Sequence, residues 1–256
     1  MDPDPVELYP EVAATGGLAM ALETLAAQRG LALVAISNDS EPVRYASVAS
    51  TAPGRQPLRV SAWHKERKWS ISGDGSGAGS GRPEWLLEGV SDDLTQIPKV
   101  AVAWRDGVSL HEIAQLAPFV RLTGHYEVPD DSPAHLVASQ WAYLRKDAQD
   151  SGSPGHQELI EAAFAQPQLR QLYAFTSHWA LRFSTVVPPG RAKVADDEVS
   201  VNTIALVATS DGKFAAWESF AGPVIAEVTT ATQAVAVAMR FVPPGLGPAV
   251  SPTSPE

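Results

Sequence analysis

A short run of polar and aromatic side chains, residues 172–184, is the part of the sequence best suited to chemistry. His178 stands there between hydroxyl-bearing and aromatic neighbours, and an imidazole can take up or release a proton near neutral pH. Ser177 and Tyr173 carry hydroxyl groups that can hydrogen-bond to such a ring. The sequence therefore predicts a catalytic group in which His178 is the general acid or base and Tyr173 and Ser177 are its partners.

Further aromatic and basic side chains in this segment, and in a predicted helix upstream of it, are typical of a binding site for a small molecule. Tryptophan rings supply walls, and an arginine can anchor an anionic group. The predicted substrate-binding residues are Thr176, Trp179, Arg182, Trp141 and Arg145. A structural role is the alternative, in which the aromatic rings pack in a core, Ser177 caps a turn and His178 satisfies a buried carbonyl group.

Capping signals place helices before this segment and strands after it. Ser132-Pro133 and Ser153-Pro154 each combine an N-cap residue with a proline in the first helical turn. Strands are predicted over residues 179–187, 203–208, 213–219 and 224–228, and a helix rich in alanine and valine then ends near Phe241. The candidate site is thus expected where a helix ends and a strand begins at Trp179.

The N-terminal part of the chain repeats this order of elements. Gly30 ends a predicted helix over residues 11–29, and Ser109 and Glu112 have the spacing of a capping box for a later helix. Strands are predicted over residues 31–36, 43–49, 58–63, 68–72 and 84–90, and a helix follows as far as Trp104. We therefore expect an α+β protein of two pseudo-symmetric halves, each made of antiparallel strands packed with helices.

Composition sets the expected boundaries of these halves. The N-terminal half is assigned to residues 1–125 and the C-terminal half to residues 126–242. The glycine-rich stretch 73–81 is predicted to be a flexible loop. The proline-rich tail, residues 243–256, has no hydrophobic periodicity and is predicted to be disordered.

The common motifs for metals and cofactors do not occur in this sequence. The glycines of residues 73–81 are out of register for a dinucleotide-binding loop, and no lysine precedes a serine or threonine as in a phosphate-binding loop. His111-Glu112 begins like a zinc protease motif, but Gln115 stands where the second histidine is needed. The chain also has no cysteine and no G-x-S-x-G sequence. We therefore expect neither a metal nor a cofactor.

Charge and hydropathy narrow the list of partners. The chain carries 19 basic and 29 acidic side chains, a net charge of −10, and it has no basic cluster that could neutralise a row of phosphates. Its acidic, proline-rich start is unlike a signal peptide, and no apolar run reaches the about 18 residues of a membrane helix. We expect a cytoplasmic protein that binds neither nucleic acid nor a membrane.

The segment Leu172-Tyr173-Ala174-Phe175-Thr176-Ser177-His178-Trp179 resembles the Leu-Tyr-Pro-Phe-Thr-Ser-His-Trp signature of an actinobacterial family of unknown function, labelled natural product biosynthesis protein. Ala174 stands where that signature has proline, a departure that affects local rigidity. Further matching pieces lie at residues 8–13, 103–107, 117–120 and 140–145. The resemblance covers nearly the whole chain except its two tails. It implies a context in specialised metabolism, but no reaction and no catalytic residue.

Two functions fit the sequence. The first is a tailoring enzyme without a cofactor, a non-redox isomerase, cyclase or lyase that acts on a small metabolite or a modified peptide through His178. The second is a non-catalytic binding module or scaffold that recognises a precursor peptide or a partner enzyme. Tryptophan anchors and exposed sheet edges would suit this second function. The sequence leaves open whether the chain forms a homodimer.

Overall fold

The computed structural model describes residues 3–75, 85–130, 132–187 and 200–251. These residues form two compact units that meet in sequence between Thr123 and Gly124. Each unit contains helices and one antiparallel sheet, so the protein is α+β with two similar halves. Among the described helices, none is both long enough and apolar enough to cross a membrane.

Five helices of the N-terminal unit are described, namely α1 (Pro5–Leu8), α2 (Pro10–Ala14), α3 (Leu18–Ala27), α4 (Ile97–Arg105) and α5 (Leu110–Leu116). The prediction of one helix over residues 11–29 is wrong, because Gly16 and Gly17 have φ angles of +93° and +127° and break it. A Cβ atom at Gly17 would also lie 2.8 Å from the carbonyl oxygen of Pro42. The capping box predicted at Ser109 and Glu112 is confirmed at the start of α5.

The N-terminal sheet has six strands within the described residues, and they are β1 (Ile36–Ser37), β2 (Tyr45–Val48), β3 (Leu58–Ala62), β4 (Trp69–Asp74), β5 (Trp85–Ser91) and β6 (Val120–Leu122). Strands that follow each other in sequence pair antiparallel, so the sheet is a meander. The strand predicted over residues 31–36 is observed only as the two-residue strand β1, which starts at Ile36. The backbone N–H of Ala35 donates to the Glu23 carboxylate of α3 instead of to a neighbouring strand.

The glycine-rich stretch does not begin as a loop. Gly73 and Asp74 are the last residues of β4, and Gly75 forms a single bridge with Arg55. Gly73 lies so close to Trp104 that a Cβ atom there would be 2.5 Å from the indole ring. The prediction of a flexible loop is therefore wrong for residues 73–75, where close packing against a tryptophan requires the glycine; residues 76–81 lie outside the described residues.

The C-terminal unit contains helices α6 (Pro133–Asp150), α7 (Pro154–Phe164), α8 (Pro167–Arg170) and α9 (Ala231–Met239). The starts predicted at Ser132-Pro133 and Ser153-Pro154 are confirmed, with the proline as the first helical residue of α6 and of α7. The described strands of this unit form a second antiparallel meander of β7 (Tyr173–Ser177), β8 (Ala180–Ser184), β9 (Ala205–Ala208), β10 (Phe214–Trp217) and β11 (Val224–Val228).

In the sequence of each unit, a five-stranded meander follows one helix and precedes another, and these two helices pack on each other in the fold. In the N-terminal unit α3 contacts α4, and in the C-terminal unit α7 contacts α9. The predicted recurrence of strand, N-cap and helix is confirmed. Asp93 caps a 3₁₀ turn between β5 and α4, and the Thr230 side chain caps α9 after β11. The sheets of the two units differ, since β6 adds a further strand beside β5, whereas β11 is the edge strand of its sheet within the described residues.

The tail beyond Pro243 packs on the C-terminal unit. The backbone of Val250 hydrogen-bonds to Val187 and Thr185, and the N–H of Ala249 donates to the carbonyl of Gln171 at 3.0 Å. Ala249 is buried in the core of the unit. The prediction of disorder from residue 243 is therefore wrong for residues 243–251, because backbone pairing with the residues that follow β8 compensates for their lack of hydrophobic periodicity. Residues 252–256 lie outside the described residues.

Deleting residues 246–256 is expected to destabilise the C-terminal unit. The deletion removes these backbone hydrogen bonds and the contact of Leu246 with the core, and at about 1 kcal/mol for each hydrogen bond we expect a loss of roughly 2–4 kcal/mol in the free energy of unfolding. Urea unfolding of the full-length protein and of the deletion variant measures the difference in the free energy of unfolding. Deletion of residues 252–256 is the control, since it removes none of these contacts. An unchanged unfolding midpoint for the longer deletion would contradict the docking of the tail.

Candidate functional site

Residues 172–184 form a β-hairpin, and not the predicted junction of a helix end with a strand that starts at Trp179. Strands β7 and β8 pair from Tyr173 and Ser184 to Ser177 and Ala180. This register leaves His178 and Trp179 as a two-residue loop with φ angles of +50° and +67°. Two consecutive positive φ angles are typical of a type I′ turn, which normally contains asparagine and glycine. Two bulky side chains are thus held in a backbone conformation that costs free energy at residues other than glycine.

The loop between β10 and β11 contributes an aromatic ring that contacts this turn. Its Phe220 ring stacks on the imidazole of His178 with ring centres 5.1 Å apart. Ala221, the next residue, also has a positive φ angle of +58°. His178, Trp179 and Ala221 are all of the non-glycine residues with positive φ in the described part of the chain. Backbone strain is therefore concentrated here, as is common at functional sites.

Trp179 is largely exposed, with 60% of its surface accessible. The indole nevertheless contacts His156 on α7, edge to face, with ring centres 5.4 Å apart. Phe220 is 37% exposed, and His178 is exposed as well. We refer to His178, Trp179 and Phe220 as the aromatic tip.

His156 lies beneath the aromatic tip and is 3% exposed. Its Nδ1 atom has no hydrogen-bond partner within the described residues. Burial disfavours the charged imidazolium, and this desolvation lowers the pKa of His156, with a smaller opposing effect from Asp147. The ring is thus kept neutral under the tip at neutral pH.

We expect His156 to make the protein less stable in acid. The unfolded chain protonates this ring below about pH 6.5, whereas the folded chain resists protonation. The free energy of unfolding is therefore not reduced by His156 above that pH. It falls as the pH drops below that value, by at most about 1.4 kcal/mol per pH unit. His156→Gln should reduce the difference in unfolding free energy between pH 7 and pH 5, as measured in urea. His111→Gln, on the exposed surface of α5, should keep the wild-type difference, and an equal effect of both substitutions would contradict the assignment.

The structure does not assemble the catalytic group that the sequence predicts. The Ser177 hydroxyl does lie 3.3 Å from Nδ1 of His178. Tyr173, however, is buried, and its hydroxyl donates to the Gln140 side chain at 3.1 Å. Five residues of extended strand place Tyr173 roughly 16 Å along the chain from His178. The position of Tyr173 on the core side of β7 is a consequence of the hairpin register, which the sequence alone did not specify.

The predicted binding residues are likewise dispersed. Trp141 is buried in the core, where its indole N–H donates to the carbonyl of Leu172 at 3.1 Å. Arg145 forms an ion pair with Glu161 at 2.7 Å. The Arg182 guanidinium lies 5.3 Å from the centre of the Phe175 ring, and burial lowers the pKa of Arg182. Thr176 is half-buried within β7. Of the predicted binding side chains, Trp179 alone belongs to the aromatic tip.

A second candidate site lies on the N-terminal sheet and was missed by the sequence reasoning. A cleft of about 820 Å³ opens on the polar face of strands β1 to β4. We refer to it as the sheet cleft. The alternation of polar and apolar residues in β3 and β4 could have revealed this face from the sequence. Every second position is polar, and these residues therefore share one face: Arg59, Ser61, Ser70 and Ser72. Within the described residues, no three His, Asp or Glu side chains are grouped closely enough to hold a metal ion.

These observations define an α+β protein of two units, which share the order helix, five-stranded meander, helix. The C-terminal unit also carries the exposed aromatic tip. Residues 135–253 match the model of a family of unknown function (DUF6193). The matched region includes the aromatic tip but not the sheet cleft. No curated protein and no solved structure matches the chain.

Proposed function

We propose that this protein is a non-catalytic recognition protein of specialised metabolism, which binds an extended polypeptide segment through the aromatic tip. The observation that carries the proposal is the position of Trp179, a largely exposed indole in a strained two-residue turn. A ring fixed in this way loses little conformational entropy on binding, and tryptophan is the residue type most enriched among energetically dominant contacts. The resemblance of residues 172–179 to the natural product family supports the metabolic context.

The chemistry around His178 favours recognition over acid–base catalysis. The imidazole is open to water and stacks on Phe220. In the described part of the chain its hydrogen-bond partner is the hydroxyl of Ser177, and no carboxylate orients the ring. General acid–base catalysts are usually oriented by such a partner and shielded from bulk water.

An edge strand next to the aromatic tip indicates a polypeptide as the partner. Strand β11 begins four residues after Phe220 and lies at the edge of the C-terminal sheet, as far as the structure describes it. Val224, its first residue, is 53% exposed, and Glu227 is exposed too. An extended peptide can add to such an edge through backbone hydrogen bonds, while its side chains contact neighbouring pockets. In this arrangement β11 supplies affinity, and Phe220 with Trp179 selects apolar side chains.

Selection of peptides from a random decapeptide library, displayed on phage, tests the proposal on the full chain. Peptides that bind the wild-type protein are expected to lose roughly 30-fold in affinity, or more, with Trp179→Ala and with Phe220→Ala. Tyr126→Ala is the matched control, because Tyr126 is 42% exposed in the same unit but does not belong to the tip. Selected peptides whose affinity is the same for all three variants, or a library without binders, would contradict the proposal.

An acid–base enzyme that acts on a small metabolite is the second candidate, and the contact between Ser177 and His178 favours it. This candidate expects His178→Gln to abolish turnover of the physiological substrate without loss of stability, because the exposed ring contributes little to packing. Turnover that survives the substitution would leave recognition as the function.

A further inference from the structure

The sheet cleft is lined by groups that both donate and accept hydrogen bonds. Each of three neighbouring strands, β2, β3 and β4, contributes one serine, and a glutamine is contributed by the segment before β3. These residues are Ser47, Ser61, Ser72 and Gln56. Because successive side chains of a strand point to opposite faces, this polar set lies on the side of the sheet opposite the buried Val60 and Ile71.

Asp74 gives the cleft a buried acceptor. The residue is 5% exposed, and its Oδ2 atom accepts from Arg59 at 2.7 Å. Its Oδ1 atom is fully buried and has no hydrogen-bond partner within the described residues. Burial raises the pKa of Asp74, partly offset by the nearby Arg59 charge. A buried carboxylate oxygen without a donor is unfavourable, so a ligand that brings a donor to it would gain affinity.

The charges of the described cleft lining are paired. Arg59 and Asp74 are the charged residues among the described residues that line the cleft, and they form an ion pair at 2.7 Å. A charged ligand would lose hydration in this cleft without meeting an unpaired counter-charge. An uncharged ligand rich in hydroxyl groups meets no such penalty.

Two aromatic rings complete the cleft. Tyr45 is half-buried, and its hydroxyl lies 3.3 Å from Nε2 of His64, which restrains the phenol. Trp85, at the start of β5, is 41% exposed. Flat apolar rings beside hydroxyl, amide and carboxylate groups suit a ligand whose faces are apolar and whose rim is polar, as in a pyranose ring.

We infer that the sheet cleft binds an uncharged polyhydroxylated ligand of the saccharide class. A ligand hydroxyl donates to Asp74, and the serine and glutamine side chains contact the remaining hydroxyls. Tyr45 and Trp85 lie at opposite ends of the cleft, and each contacts an apolar face of the ligand. The cleft volume of about 820 Å³ falls within the roughly 300–1,000 Å³ of small-molecule sites. This inference concerns the N-terminal unit and does not depend on the aromatic tip.

An array of neutral mono- and disaccharides, with glucosamine and glucuronic acid as charged counterparts, tests the inference on the full chain. The best neutral sugar is then titrated by calorimetry. We expect the neutral sugars to bind, and the two charged counterparts to bind at least tenfold more weakly. Trp85→Ala and Asp74→Asn are each expected to weaken binding of the neutral sugar by at least tenfold.

Trp179→Ala is the control, because this exposed tryptophan lies in the other unit and should leave sugar binding unchanged. A failure of the peptide proposal would therefore not affect this result. If Asp74→Asn prevents folding, as judged by circular dichroism, Trp85→Ala decides the question alone. Binding of no neutral sugar in the array, preference for a charged sugar, or full affinity of Trp85→Ala would overturn the inference.

Discussion

Trp141→Ala should lower the free energy of unfolding by roughly 3–5 kcal/mol, the usual cost of removing a buried tryptophan. Trp141 is 1% exposed, and its ring packs against Phe164 and Phe183 with centres 5.5 and 6.4 Å away. The substitution leaves a cavity and also deprives the Leu172 carbonyl of its indole donor. Urea or thermal unfolding of the purified variant measures the loss.

Trp179→Ala is the matched control for this experiment. Both tryptophans were predicted from the sequence to be walls of one site, yet Trp179 is largely exposed. We expect its replacement to change stability by less than about 1 kcal/mol, as at most surface positions. Peptide binding is the property that it should lose. A similar destabilisation by both substitutions would contradict the assignment of Trp141 to the core and of Trp179 to the surface.

Gly73→Ala is expected to destabilise the N-terminal unit by roughly 1–3 kcal/mol, the cost of inserting a methyl group into a packed core. The new Cβ atom would lie 2.5 Å from the ring of Trp104, which is fully buried and so has little room to move. The indole N–H of Trp104 also donates to the carbonyl of Gln56, so a shift of the ring would strain this hydrogen bond. Thermal unfolding provides the measurement.

Gly247→Ala serves as the control for the glycine substitution. No atom lies within 4 Å of a Cβ placed at Gly247, and its backbone does not have a positive φ angle. Its replacement should leave the unfolding midpoint unchanged or raise it slightly, because alanine reduces the entropy of the unfolded chain. An unaltered midpoint for Gly73→Ala would show that β4 does not pack against Trp104 as described.

The contrast between the two glycines shows why composition misjudged the stretch 73–81. A run of glycines in sequence is typical of a flexible linker. The same residue type is also required wherever a backbone approaches a large ring, and Gly73 meets Trp104, thirty-one positions along the chain. Local composition contains no information about such a distant partner.

What the sequence by itself determined was the local structure. The helix starts at Ser109, Pro133 and Pro154 were predicted correctly. Their signals are local, namely the capping box of Ser109 and the proline in the first turn of α6 and of α7. The strand pattern and the recurring order of elements were also readable, since alternation with period two and capping signals are properties of the chain itself. The α+β class with two halves follows from these signals.

Tertiary structure alone decided which of the candidate side chains can meet a ligand. The pairing of β7 with β8 puts Tyr173 in the core and His178 at an exposed turn. In the N-terminal unit, the pairing of β3 with β4 brings Arg59 beside the buried Asp74. The physical reason is the same in both units. Burial depends on which face of a sheet the helices cover, and that is fixed by packing between segments far apart in sequence, which a periodic pattern does not encode.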